Sequence, residues 1–371
     1  MDKIGNIGEI KTGDFYTRED WGKADQPSIW GQGVPSDLSP TIDFVLRGEN
    51  EVWGADDDTD IEYMYQYLML EGDLSPERIR EGWLKHIKKE EENYLWVSNQ
   101  QALDLMSEGM LPPETGSPEN NPHYNMIDAQ LTTEIFGLYA PSRPDIAIEI
   151  AELPIQTTAR LEAEQIAKFY VSMHALASKE YKNNAIQNRI MQMAEESKKV
   201  LDSSGYAHKM YDFVLKKYRE GNTWEETRDA LYERYQVQSK DGYTITQQNL
   251  YCNGCFAAGI NFGASLISLF YGQGNYKETV KIGVLTGWDS DNPTATWGGL
   301  IGFMIGKEEL SALFDQKLSD KFNIHRTRQN FPNDGLDNFS NMADVGIQII
   351  DRIVANQLAG KVSAEQWYIP K

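Results

Sequence analysis

From about residue 59 the chain repeats apolar positions at spacings of three and four. Ile61, Met64, Tyr65, Leu68 and Met69 form the first such stripe, which predicts one buried face of a helix. Ser75-Pro76-Glu77-Arg78 carries a capping hydroxyl followed by proline in the first turn, and Ile79, Trp83, Leu84 and Ile87 follow at helical spacing. Similar patterns predict helices near 126–138, 143–153, 160–178, 183–202, 206–219, 275–284, 293–306, 308–316 and 339–357. Thr223-Trp224-Glu225-Glu226 reads as a capping box, and a long apolar stretch covers about 246–271. No series of alternating segments at regular spacing occurs, so the fold class is all-α.

Two regions break the helical rhythm. Residues 1–50 are rich in Gly, Pro, Asp and Ser, with Pro27, Pro35 and Pro40 as punctuation, and read as an irregular N-terminal segment packed on the core. Residues 51–359 then form a single domain and 360–371 a tail. Residues 111–123 make a loop longer than a simple connector, a kind that often lines a site. Gly298, Gly302 and Gly306, and likewise Gly259 and Gly263, stand four apart, which predicts close helix packing.

Charge narrows the function classes. The 371 residues carry 35 Lys and Arg against 56 Asp and Glu, a net charge of −21. Nucleic-acid binding by bulk attraction and adsorption to an anionic membrane are therefore disfavoured. No apolar run is long enough to span a bilayer and the first residues lack a signal-peptide core, so the expected location is the cytoplasm, or the periplasm if a signal has been removed. The two cysteines, Cys252 and Cys255, have no further soft ligands around them and read as inert buried thiols.

Chemistry concentrates in two acidic clusters. Gly54-Ala55-Asp56-Asp57-Asp58-Thr59-Asp60 stands directly before a helix, where three adjacent carboxylates need solvent, a helix N-terminus or a hard cation. Thr286-Gly287-Trp288-Asp289-Ser290-Asp291-Asn292-Pro293 lies between apolar flanks, with no Lys or Arg between Lys281 and Lys307 to neutralise it. Both clusters present oxygen ligands at a helix start. The histidines form no zinc-protease spacing, and P-loop, GxGxxG and GxSxG signatures are absent. Oxygen clusters of this kind suit magnesium or calcium.

These paired motifs resemble the ADP-ribosylglycohydrolases. Asp56-Asp57-Asp58-Thr59 looks like the family's early Thr-Asp-Asp-Thr motif. Gly287-Trp288-Asp289-Ser290-Asp291-Asn292, with the small-residue helix Ala295–Gly302 behind it, looks like the late Gly-Gly-Asp-Thr-Asp-Thr motif. The likeness runs from about residue 50 to 310. It implies an orthogonal all-α bundle and two Mg2+ ions held by Asp56, Asp57, Asp58, Asp289, Asp291 and Asn292. It also implies hydrolysis at the anomeric carbon of an ADP-ribosyl or related ribosyl or glycosyl group on a small-molecule or ADP-ribosylated substrate. Asp289 would also touch the sugar, and Asn125, Asp128, Gln130 and Trp288 would contact substrate. The family's N-terminal Gly-rich helix and its glutamate are echoed only by Gly13–Glu19, which makes Glu19 the sole candidate for that carboxylate. A non-catalytic ADP-ribose-binding or structural protein on the same fold is the alternative. Oligomeric state is not legible in the sequence.

Overall fold

Most of the expected helices form in the computed structural model, which describes residues 15–24, 41–55, 59–89, 93–181, 185–248, 250, 254–364 and 366–370. The helices are α1 (Thr59–Glu71), α2 (Pro76–His86), α3 (Val97–Ser107), α4 (Asp128–Thr132), α5 (Ile135–Tyr139), α6 (Pro144–Gln156) and α7 (Leu161–Ala177), then α8 (Ile186–Ser197), α9 (Tyr206–Arg219) and α10 (Trp224–Leu231). They continue with α11 (Ala258–Gly272), α12 (Tyr276–Thr286), α13 (Asp291–Ile305), α14 (Lys307–Leu313) and α15 (Phe339–Asn356). The fold is all-α, as the helical periodicity requires. Contacts divide the chain into two compact units. One comprises the described parts of Met1–Leu46 with Tyr181–Leu310, the other Arg47–Glu180 with Ser311–Lys371.

The first unit is built around α11, whose side chains are nearly all buried. It packs against α9, α10, α12 and α13. Gly259 explains part of that closeness, since a Cβ there would stand 2.6 Å from the Tyr206 ring and 2.7 Å from Tyr243. Gly263 plays the same part against Leu231 and Met210, each 2.8 Å away from the added atom. The stripe on α13 behaves differently. A Cβ at Gly298 would stand 3.6 Å from Tyr276 and 3.7 Å from Val280, one at Gly302 3.9 Å from Tyr276, and one at Gly306 would meet nothing within 4 Å, so this stripe faces neighbours at ordinary contact distance and the tightest approach is on α11.

In the second unit α7 packs against α4, α5 and α6, while α15 lies on α1 and α5. The α1 stripe is fully inside, with Ile61 and Met64 at 0 % exposure. Ser75 caps α2 by accepting the Arg78 N–H at 3.2 Å. The helix expected at 126–138 is two short ones, because the Thr132 and Thr133 hydroxyls donate back to the carbonyls of Asp128 and Ala129 and the chain leaves helical geometry at Thr133.

Small strands join separated stretches of this unit. β1 (Trp53–Gly54) runs parallel to β2 (Lys321–Asn323), which pairs antiparallel with β3 (Leu336–Asn338). β4 (Lys361–Val362) and β5 (Trp367–Tyr368) form a C-terminal ladder, so the expected tail is structured. Strands of two or three residues are too short to show alternation in a sequence. No described helix is long and apolar enough to cross a membrane.

Candidate active site

In the first unit, the late acidic motif is a turn between two helices. α12 closes with the Thr286 hydroxyl donating to the Ile282 carbonyl. Gly287 then takes φ +100° and Trp288 φ +55°, so two consecutive residues leave the regions most side chains prefer. The Trp288 indole is buried and lies 5.3 Å from the Phe15 ring, which also sits over Gly287. Asp289 follows half-buried. Its N–H donates to Asn261 Oδ1 on α11 at 3.0 Å. Ser290 is fully buried and precedes the helix; its hydroxyl has no hydrogen-bond partner among the described residues. Asp291 is exposed at the first position of α13, where the helix dipole favours a carboxylate. Pro293 fits the first turn because the N–H it lacks would have no intrahelical partner there.

Asn292 points the other way. It is buried, and its Oδ1 accepts the Thr296 hydroxyl at 3.2 Å. The carboxylates of this turn are therefore those of exposed Asp291 and half-buried Asp289, whose Oδ2 lies inside the protein. These hard oxygen donors, with no basic residue from 282 to 306, fit a divalent cation such as magnesium. Trp297 serves the core, donating its indole N–H to the Ser265 carbonyl at 2.8 Å.

The N-terminal segment is fastened to the same unit. Arg228 is buried with its guanidinium 4.6 Å above the Phe15 ring, and it donates to the Tyr16 carbonyl. Arg18 forms a bidentate pair with Glu225, at 2.7 and 2.6 Å. Glu19 is exposed on the 3-10 turn Arg18–Asp20.

The second unit holds the flanks of the early motif and the expected substrate residues Asn125, Asp128 and Gln130. Asp56, Asp57 and Asp58 lie outside the described residues. Before them, the Ala55 N–H donates to the Asn323 carbonyl at 3.0 Å; after them, buried Asp60 accepts the His325 N–H. Asp128 is also buried, and its Oδ1 accepts the Asn99 N–H at 2.8 Å in the first turn of α3, a carboxylate at a helix N-terminus. Around it stand buried polar atoms with no partner among the described residues: Asn125 Oδ1, both amide atoms of Gln130, both amide atoms of Asn99 and the Thr158 hydroxyl. Ser98, next to Asn99, donates to the Thr158 carbonyl at 2.6 Å, which ties these elements together.

Asn99 and Asn261 were not legible as site residues. Asn99 looks like any polar residue at a helix start. Asn261 is a lone amide within the apolar α11 stretch, and that was its available signal. Among the described residues no three His, Cys, Asp or Glu side chains gather as a metal cluster. Cys255 corrects the expectation of a free thiol: it is buried and disulfide-bonded, with Cys252 outside the described residues. Pairing depends on local geometry, which a cysteine count does not reveal.

The sequence profile of the ADP-ribosylglycohydrolase family matches residues 13–342. The chain belongs to that family, which places it among glycohydrolases of the ADP-ribosyl type. No curated protein matches the chain.

Proposed function

We propose that the chain is a magnesium-dependent hydrolase that cleaves the bond joining the anomeric carbon of an ADP-ribosyl group to its leaving group. The observation that carries this reading is the family match over residues 13–342, which spans both acidic motifs. The carboxylates Asp289 and Asp291 of the acidic turn support it. In this reading they hold the metal, and Asp289 also accepts a hydrogen bond from a ribose hydroxyl. Magnesium, when bound, supplies positive charge that fixes sugar hydroxyls and acidifies water.

The chain's own groups do the rest. The carboxylates orient the ribose and stabilise the positive charge that develops at the anomeric carbon. The Trp288 ring beside Asp289 supplies an aromatic contact to the substrate. Asn292 braces the first turn of α13 from inside the protein.

The test is release of free ADP-ribose from ADP-ribosylated protein or small molecules with and without Mg2+, for the native chain and Asp289→Ala. We expect magnesium-dependent release, a fall of at least about 100-fold in kcat/KM for the variant, and loss of its Mg2+ heat in calorimetry. ADP-ribose binding without release would replace this reading with the non-catalytic one. Unchanged Mg2+ binding by Asp289→Ala would remove Asp289 from the metal site.

A further inference from the structure

We propose that Asn261 is the positioning residue of the Gly287–Asp291 turn, a buried amide that sets where the Asp289 carboxylate stands without itself meeting a ligand. The inference rests on the reading of Asp289 given above. Asn261 is fully buried in the first turn of α11 and uses both ends of its amide. Its Oδ1 accepts the Asp289 N–H at 3.0 Å, and its Nδ2 donates to the carbonyls of Cys255 at 2.8 Å and Ala257 at 3.0 Å. The amide orientation follows from these partners, since a flip would set an NH2 against an N–H and an oxygen against two carbonyls.

The turn needs such a clamp. Gly287 and Trp288 both have positive φ, and for tryptophan that conformation is not a local preference. The conformation is therefore imposed from outside, by Phe15 against the indole and by Asn261 on the next peptide. The side-chain chemistry is demanding. Aspartate has the length and the acceptor but no donor when ionised. Leucine has the size and neither. Glutamine adds a methylene in a fully packed site. One asparagine thus joins three backbone segments: the Cys255–Ala257 approach, the start of α11 and the acidic turn.

The experiment measures amide hydrogen exchange at Asp289 in the full chain, native and Asn261→Leu, alongside a Mn2+ titration followed by electron paramagnetic resonance with the metal alone as probe. Ser265→Ala is the control, because the Ser265 hydroxyl donates within α11, to Phe262. We expect Asn261→Leu to speed exchange at Asp289 at least about tenfold, the scale of one lost hydrogen bond. Amides in the middle of α11 should change little, and Mn2+ affinity should fall by a similar factor. Ser265→Ala should leave both readings at the native value. If Asn261→Leu does not fold, Asn261→Ser, which is too short to reach the Asp289 N–H, takes its place. Native-like exchange at Asp289 in the variant overturns the proposal, and so does a rise spread evenly over α11, the mark of a merely structural side chain. A native chain that binds no Mn2+ overturns the metal reading instead, while the exchange result still decides the clamp.

Discussion

Asn261 in the first unit and Asn99 in the second are both completely buried asparagines in the first turn of a helix, and they are used in opposite ways. Asn261 spends its whole amide on protein, bridging three peptide groups. The Asn99 amide has no hydrogen-bond partner among the described residues; only its backbone N–H is engaged, by Asp128. Burying an amide without hydrogen bonds costs free energy that apolar packing of the same shape would not. Asn261 therefore invests its amide in holding a strained acidic turn. Asn99 keeps its polar valence open, which is what contact with a polar ligand or ordered water needs. Stability and function should separate at the two sites.

One substitution at both positions breaks the comparison or confirms it. Asn261→Leu leaves the Asp289 N–H and the Cys255 carbonyl without this partner and should cost about 3 kcal/mol of unfolding free energy. Denaturant titration at constant slope measures it.

A buried polar group whose charge can be changed sharpens the contrast within the second unit. His174, inside α7, uses Nδ1 on the Tyr170 carbonyl at 2.9 Å. Its Nε2 stands 3.8 Å from Glu134, beyond hydrogen-bond reach. Burial pushes its pKa from 6.5 down to about 4. The unfolded chain thus takes up a proton first as pH falls. The stabilisation of the neutral ring is complete above pH 6.5 and is lost as pH drops toward 4. This group should account for about 2–3 kcal/mol of acid destabilisation between pH 7 and 4.5. His174→Leu should flatten that part of the stability–pH curve, and a curve parallel to the native one would show that the ring is not held neutral.

The smallest expected effect has the opposite sign. Asn99→Leu should leave stability unchanged or raise it by about 1 kcal/mol, because it removes a buried amide that has no partner to lose. It should weaken ADP-ribose binding at the same time. A clear loss of stability would mean that ordered water satisfies the native amide, and unaltered ADP-ribose affinity would show that Asn99 does not meet the ligand.

Much of this protein is legible along the chain. The α1 stripe, the Ser75 cap, the Thr223 capping box and the apolar α11 stretch are local patterns, and each forms where periodicity places it, because helix formation and capping depend on neighbours three and four residues apart. The acidic turn at Asp289 and Asp291 is equally local, and its residues also carry the family likeness that the profile match extends over residues 13–342.

What the tertiary structure decided are matters of long-range pairing. The strands of two and three residues exist because β1 meets β2 some 270 residues later. Asn292 faces inward and Asp291 outward because α13 begins two residues before Pro293 and packs on its buried side. The Gly259 stripe is tighter than the Gly298 stripe because aromatic rings stand within 3 Å of an added Cβ at Gly259, whereas the nearest atoms at Gly298 are 3.6 and 3.7 Å away. Asn99 and Asn261 are the same residue type at similar helix positions. Their difference is set by which backbone groups folding brings to each amide, the Asp289 N–H 28 residues away among them, and hydrogen bonding is too short-ranged for an isolated segment to reveal that.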